Sequence, residues 1–273
     1  MRNSAGTRGV RTPVGEDSTN GRGVDVPGTT TVDVRRGGDR AVTTGAGIET
    51  RHAFSFGDHH EPGNTHHGLL LAHNEDRLAP GAGYDTHTHR DTEIVTWVLA
   101  GTLAHADSLG HSGMLRPGVV GAMSAGRGVE HSERHAGDGG PVHLVQMWLV
   151  PDRPGTEPAH EQRDLTAALA DGGLVVAASG LARDAGGPGA PLGVASAALH
   201  VARPPAGRAL DLPAAPHVHV HLARGRAALA VGDGEVALEG GDAVRLTDAG
   251  PAALTAVTDA EVLVWEMHEG LGG

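Results

Sequence analysis

From Ala41 onward this chain is a series of short apolar runs broken by Gly, Pro and Asp turns, and that pattern restricts the fold more than any other feature. Examples are Ile94-Val-Thr-Trp-Val-Leu99, Val142-His-Leu-Val-Gln-Met-Trp-Leu149, Leu174-Val-Val-Ala-Ala178 and Val262-Leu-Val-Trp265. Runs of β-favouring residues with turns about every ten positions indicate an all-β sandwich or barrel. Helical periodicity is nearly absent, and Leu165–Ala170 is expected to form only a turn or two of helix. Residues 1–40 are rich in Gly, Thr, Arg and Asp with no apolar period, and are read as a disordered tail.

The turn glycines recur. Leu99-Ala-Gly101, Arg116-Pro-Gly118 and Ser124-Ala-Gly126 are matched later by Leu222-Ala-Arg-Gly225, Gly240-Gly241-Asp242 and Asp248-Ala-Gly250. The intervals are 17 and 8 residues in the first half, 16 and 9 in the second. Matched turn spacing predicts two copies of one β unit, over residues 41–155 and 156–273.

Composition narrows the partners. The net charge of −12 and the 2% aromatic content argue against nucleic acid, which needs a basic face and stacking rings. All basic side chains are Arg, and there is no Cys, which excludes disulfides, thiolate sites and cysteine nucleophiles. No apolar run is long enough for a transmembrane helix, and the N-terminus lacks the apolar core of a signal peptide. A soluble cytoplasmic protein is the expectation.

The chain carries 19 His, 14 of them between His52 and His160. Imidazole is the commonest neutral metal ligand. His87-Thr-His89 and His131-Ser-Glu133 are each spaced i, i+2, which places both members of a pair on one face of a strand. If the two strands are neighbours, three nitrogens and a carboxylate converge. That donor set suits Fe, Mn, Ni, Cu or Zn and leaves coordination positions open for substrate. A His-x-His pair alone in a His-rich chain is ordinarily two strand residues. The second pair, in a Gly-punctuated β context, is what points to a metal.

Residues from Arg51-His-Ala-Phe-Ser-Phe56 to Pro151 resemble the N-terminal domain of the pirin family, a two-barrel branch of the cupins. The resemblance rests on Asp76-Arg-Leu-Ala-Pro-Gly81, His87-Thr-His-Arg90 with Glu93, His105-Ala-Asp-Ser-Leu-Gly110, Arg116-Pro-Gly118, Met123-Ser-Ala-Gly126, Gly128-Val-Glu-His-Ser-Glu133 and Gln146-Met-Trp148. It implies a bicupin of two tandem jelly-roll-type β-barrels, with one divalent metal, usually taken as Fe(II), on His87, His89, His131 and Glu133. It departs from the family at Thr88, where Pro is usual, and at Asp91-Thr92, where Gly-Phe is usual. Glu93 is a ligand in many single-domain cupins, but here Glu133 takes that place. Glu93 is expected either to orient a ligand imidazole or to be a strand residue.

The resemblance further implies a quercetin 2,3-dioxygenase-like enzyme. It would open a flavonol or related phenolic with O2, Glu133 acting as base and the apolar barrel admitting the flat rings. The alternative is a non-enzymatic, metal-dependent regulatory protein that binds a protein partner. In the second copy the positions matching His87, His89 and His131 are Asp211, Pro213 and Thr255, so no metal is expected there. His217, His219 and His221 fall opposite Glu93, Val95 and Trp97 and are read as a polar strand face, placed at the interface between the barrels. His59, His60, His66 and His67 are assigned to a solvated loop. His105, His111, His135 and His143 are taken as structural or surface.

Overall fold

The structure, a computed structural model, describes residues 30–137 and 139–271. Its strands form two copies of a two-sheet sandwich. In the first, a four-stranded sheet runs Gly83–His89, Val129–Ala136, Thr102–Asp107, Ser112–Leu115. It faces a seven-stranded sheet ordered Ala159–Asp164, Val119–Ser124, Glu93–Ala100, Val142–Leu149, Leu70–Leu78, Ile48–His52, Ala41–Gly45. In the second, the four-stranded sheet is Ala209–Asp211, Ala252–Ala256, Arg226–Val231, Gly234–Glu239. Its partner is ordered Thr31–Arg35, Ala243–Thr247, His217–Arg224, Glu261–Met267, Ala197–Ala202, Val175–Ser179, Ala190–Pro191. This is a bicupin.

The glycine correspondence has a backbone cause. Gly101 and Gly225 close the equivalent hairpin in each copy, with φ of 76° and 85°. A Cβ on Gly225 would lie 2.4 Å from the Asp259 carbonyl oxygen. Gly118 and Gly241 turn into the next equivalent strand at φ 96° and 99°. These values lie in the left-handed region, which Gly enters without steric penalty. The third pair diverges: Gly126 is at φ 46°, whereas in the second copy Asp248 carries the positive φ, of 53°.

Each copy borrows its edge strand from the other half of the chain. Ala159–Asp164 pairs with Val119–Ser124 of the first copy, and Thr31–Arg35 pairs with Ala243–Thr247 of the second. Part of the region expected as a tail is therefore ordered: Thr31–Arg35 is a strand and Gly37–Asp39 a 3-10 turn. A five-residue edge strand is too short to show a period against its Thr and Arg neighbours. The rest of that region, residues 1–29, lies outside the described residues. The helix expected near Leu165–Ala170 is one 3-10 turn, Ala168–Asp171.

The two seven-stranded sheets pack face to face, which explains runs that are apolar on both faces. Along Ile94–Leu99, Val95, Trp97 and Leu99 join a core shared with Leu199, Leu263 and Trp265 of the second copy. Val98 turns inward to Leu103, Leu115 and Leu144, and Ile94 to Met123 and Val129. Burial of each larger side chain stabilises the fold by roughly 1.5–3 kcal/mol. Polar contacts cross the same interface: Trp97 Nε1 donates to Glu261 Oε1 at 2.8 Å, and Arg224 Nη2 to the Leu99 carbonyl at 2.8 Å.

Candidate metal centre

Strands Gly83–His89 and Val129–Ala136 are antiparallel neighbours, with His87 opposite His131 and His89 opposite Val129. The register slips between His131 and Glu133, because Glu133 lies opposite Tyr84. Such a bulge re-aims side chains locally. Gly83 makes the close approach feasible, since a Cβ there would sit 2.5 Å from the Glu133 carbonyl oxygen.

His87, His89 and His131 offer ring nitrogens that all lie within 4.8 Å of one another. Their ring centroids are 4.8 Å (His87–His89), 4.5 Å (His87–His131) and 5.0 Å (His89–His131) apart. Glu133 meets His131 and His105 within the same 4.8 Å limit. The two sequence pairs thus converge, with His131 as the shared member. His131 and Glu133 are buried, and His87 and His89 are half-buried.

The protonation states suit a metal. Burial holds His89 down at about 4 and His131 at about 3, so both are neutral at pH 7. Nearby imidazoles add to this at both rings. Burial also lowers His87. His87 Nδ1 donates to the Asp85 carbonyl at 2.7 Å, which leaves the Nε2 lone pair free. That Nε2 faces His131 Nε2 at 3.1 Å. His89 Nε2 is buried without a protein partner. Convergent lone pairs and an orphaned ring nitrogen are what a cation between these rings would satisfy, so the residues fit the expected group.

Glu133 is fully buried, and desolvation pushes its carboxyl up to about 7 despite a 2.6 Å hydrogen bond donated by Gln146 Nε2. Gln146 Oε1 in turn accepts from Trp148 Nε1 at 3.1 Å. Trp148 stands edge-on to His89 at 4.9 Å and to Phe56 at 5.2 Å. With Tyr84 beside His87 at 6.2 Å, three of the chain's six aromatics border one site. Sequence reasoning missed Phe56, Tyr84 and Trp148 as a wall. Their scarcity elsewhere in the chain was the available signal.

Of the two readings of Glu93, the structure has the strand residue: it opens strand Glu93–Ala100, and its Oε2 accepts from Ser124 Oγ at 2.7 Å and from the Gly193 amide at 2.9 Å, bracing the two halves. Other expectations are corrected. The cavity beside His131 and Glu133, lined also by Ile94, Leu115 and Met123, measures about 10 Å³, room for about one water and not for the flat ring system expected there. His67, placed in a solvated loop, is buried against His217. His105, expected as structural or surface, is buried; it stacks on His160 at 4.1 Å and lies 3.5 Å from His131, Nδ1 to Nδ1. Asp91, at one departure from the family pattern, takes φ 50°, a conformation natural to the usual Gly, and its carboxylate accepts from the Gly155 amide.

Fold and site together define a bicupin with a His-rich centre in its first copy. The model of the pirin family, named Pirin, matches residues 35–149. A Mycobacterium tuberculosis protein provisionally named quercetin 2,3-dioxygenase is 50% identical over 245 residues, covering 89% of this chain and 98% of its own. The Escherichia coli bacterial pirin YhhW, solved in complex with nickel(II), superposes with a TM-score of 0.78 at 27% identity, over 88% of this chain and all of its own. A quercetin 2,3-dioxygenase structure from Acinetobacter baumannii shares the fold at a TM-score of 0.69 and 24% identity, over 89% of this chain and 88% of its own. The chain belongs to the pirin family. Among the described residues no helix is long and apolar enough to cross a membrane.

Proposed function

We propose that this protein is a quercetin 2,3-dioxygenase-type enzyme, with His87, His89, His131 and Glu133 holding one divalent transition metal, Fe(II) in the first assignment. The observation that carries the reading is the convergence of three neutral imidazoles, one of which, His131, also meets a buried carboxyl poised near pH 7. The nickel(II) complex of the E. coli relative supports a divalent ion, and the names of the relatives support a phenolic substrate. When bound, the ion would supply positive charge for a substrate oxyanion and a redox-active contact for O2.

The chain's own residues account for the other steps. A flavonol is too large for the inner cavity, so it docks on the outer side, where His87 and His89 are half-exposed and Trp148 and Phe56 form an apolar wall. The proton of the enolic hydroxyl passes to the buried Glu133 carboxylate by way of the inner cavity, which has room for about one water, a transfer suited to a group near neutrality. Gln146 keeps that carboxylate in one orientation. The flavonol and O2 then yield an ester-linked phenolic acid and carbon monoxide.

The test is oxygen-dependent consumption of quercetin by iron- or nickel-loaded protein, followed by flavonol absorbance and carbon monoxide release. Glu133→Gln and His87→Ala are each expected to lose stoichiometric metal and turnover. Unchanged absorbance for quercetin and related phenolics with the fully loaded protein would refute the enzyme assignment and favour the regulatory alternative.

A further inference from the structure

On the side away from the centre, His131 meets another imidazole. Its Nε2 faces His87 Nε2 at 3.1 Å within the centre, while its Nδ1 lies 3.5 Å from His105 Nδ1. His105 stands on strand Thr102–Asp107, which pairs with the strand of His131. Its other nitrogen, Nε2, lies 3.4 Å from Oδ2 of Asp107, two residues on and so on the same face of that strand. His105 and His131 are buried, and the Asp107 side chain is 1% exposed.

The Asp107 carboxylate is a fixed acceptor. Its Oδ1 takes hydrogen bonds from the backbone amides of Leu109 and His111, each at 3.0 Å, and its Oδ2 takes one from His111 Nδ1 at 2.9 Å. An acceptor at one end decides the protons along the row. A neutral imidazole has one N–H, so a ring that donates at one nitrogen accepts at the other. His105 Nε2 donates to Asp107, which leaves His105 Nδ1 as a lone pair. That lone pair accepts from His131 Nδ1–H, and His131 Nε2 is left as a lone pair aimed into the centre. The tautomer dictated by Asp107 is the one a metal ligand needs.

We propose that His105 and Asp107 are positioning residues, which fix the tautomer and orientation of His131 as a metal ligand. The inference rests on the metal reading of the centre and is independent of which substrate it takes. His160, on strand Ala159–Asp164, supports the row by stacking on His105 at 4.1 Å with 2° between the ring planes. Donor atoms of His105, Asp107 and His160 also lie within 4.8 Å of one another. Two parallel rings do not share an ion, however, because each nitrogen lone pair lies in its own ring plane and these planes do not meet. The group therefore acts through His131.

The experiment measures the nickel(II) affinity of the full chain by chelator competition. His105→Phe keeps a ring against His160 but offers His131 no acceptor. His105→Asn loses the ring but places a carbonyl oxygen where Nδ1 stood. The Phe variant is expected to bind nickel about 10- to 100-fold more weakly, and the Asn variant to recover most of that loss. A packing role alone gives the opposite order, which would overturn the proposal. Asp107→Asn is also expected to weaken binding about 10- to 100-fold. Its carbonyl stays with the two backbone amides, so its NH2 faces His105 and forces the other tautomer. Wild-type affinity in that variant would overturn the role of Asp107. If the wild type itself takes up no nickel, the metal reading fails and the row falls with it. Should the variants not fold, nitrogen-15 NMR of the zinc-loaded wild type decides. Protons on His131 Nδ1 and His105 Nε2 support the row, and a His105 Nε2 without a proton overturns it.

Discussion

Gln146 donates a 2.6 Å hydrogen bond to Glu133, and together with Thr96 it holds this buried carboxyl near neutrality instead of higher. Gln146→Leu is therefore expected to raise the Glu133 pKa above about 7. The loss of a hydrogen bond to a charged group is worth about one pH unit or more. The acid limb of the pH profile for quercetin consumption moves upward by that amount, and for a one-unit move the rate at pH 7 falls about fivefold. An unmoved limb would remove Glu133 from the role of base.

Glu93 and Glu133 separate by what each variant loses. Glu93→Ala leaves the Gly193 amide and the Ser124 hydroxyl without their acceptor, at a cost of about 1–3 kcal/mol in denaturant unfolding, with metal content unchanged. Glu133→Gln shows the reverse: metal is lost, while the metal-free protein is no less stable, because a desolvated acid is replaced by a neutral amide. Paired metal analysis and urea titration check both.

Trp148 packs on His89 and Phe56 at the outer side of the centre. Trp148→Ala is expected to raise the KM for quercetin about two- to tenfold, the range of one aromatic contact, without loss of metal. An unchanged KM would place the flavonol elsewhere.

Acid should destabilise the metal-free protein. Burial holds His67, His89 and His160 at about 4 and His131 at about 3, against 6.5 when unfolded. Their contribution is present above pH 6.5 and lost as pH falls toward 4, because the unfolded chain binds protons that the native chain refuses. Glu133 and Asp76, raised to about 7 and about 6, act oppositely: their contribution is present at low pH and lost as pH rises through those values. The imidazoles outnumber the carboxyls, so the urea midpoint of chelated protein is expected to fall between pH 6.5 and 4. A flat or rising midpoint there would contradict this balance.

Much of the fold was legible because its cause is local. A strand alternates faces every two residues, so His87/His89 and His131/Glu133 could be paired from spacing alone. A hairpin that demands φ > 0 selects Gly, so Gly101 and Gly225 marked the duplication. The swapped edge strands were not legible, because Thr31–Arg35 becomes a strand only through its pairing with Ala243–Thr247, more than 200 residues away.

The sequence by itself determined the β class, the twofold repeat and the candidate donor pairs, all consequences of short-range periodicity and turn chemistry. Only the tertiary structure decided which faces meet. It joined the two pairs at His131, drew Glu93 away to Gly193, walled the outer side with Trp148 and Phe56, and set His73 against His219 and His221. The physical reason is that burial and the orphaning of polar atoms depend on contacts between distant segments. Local spacing specifies the face a side chain occupies but not the surface packed against it.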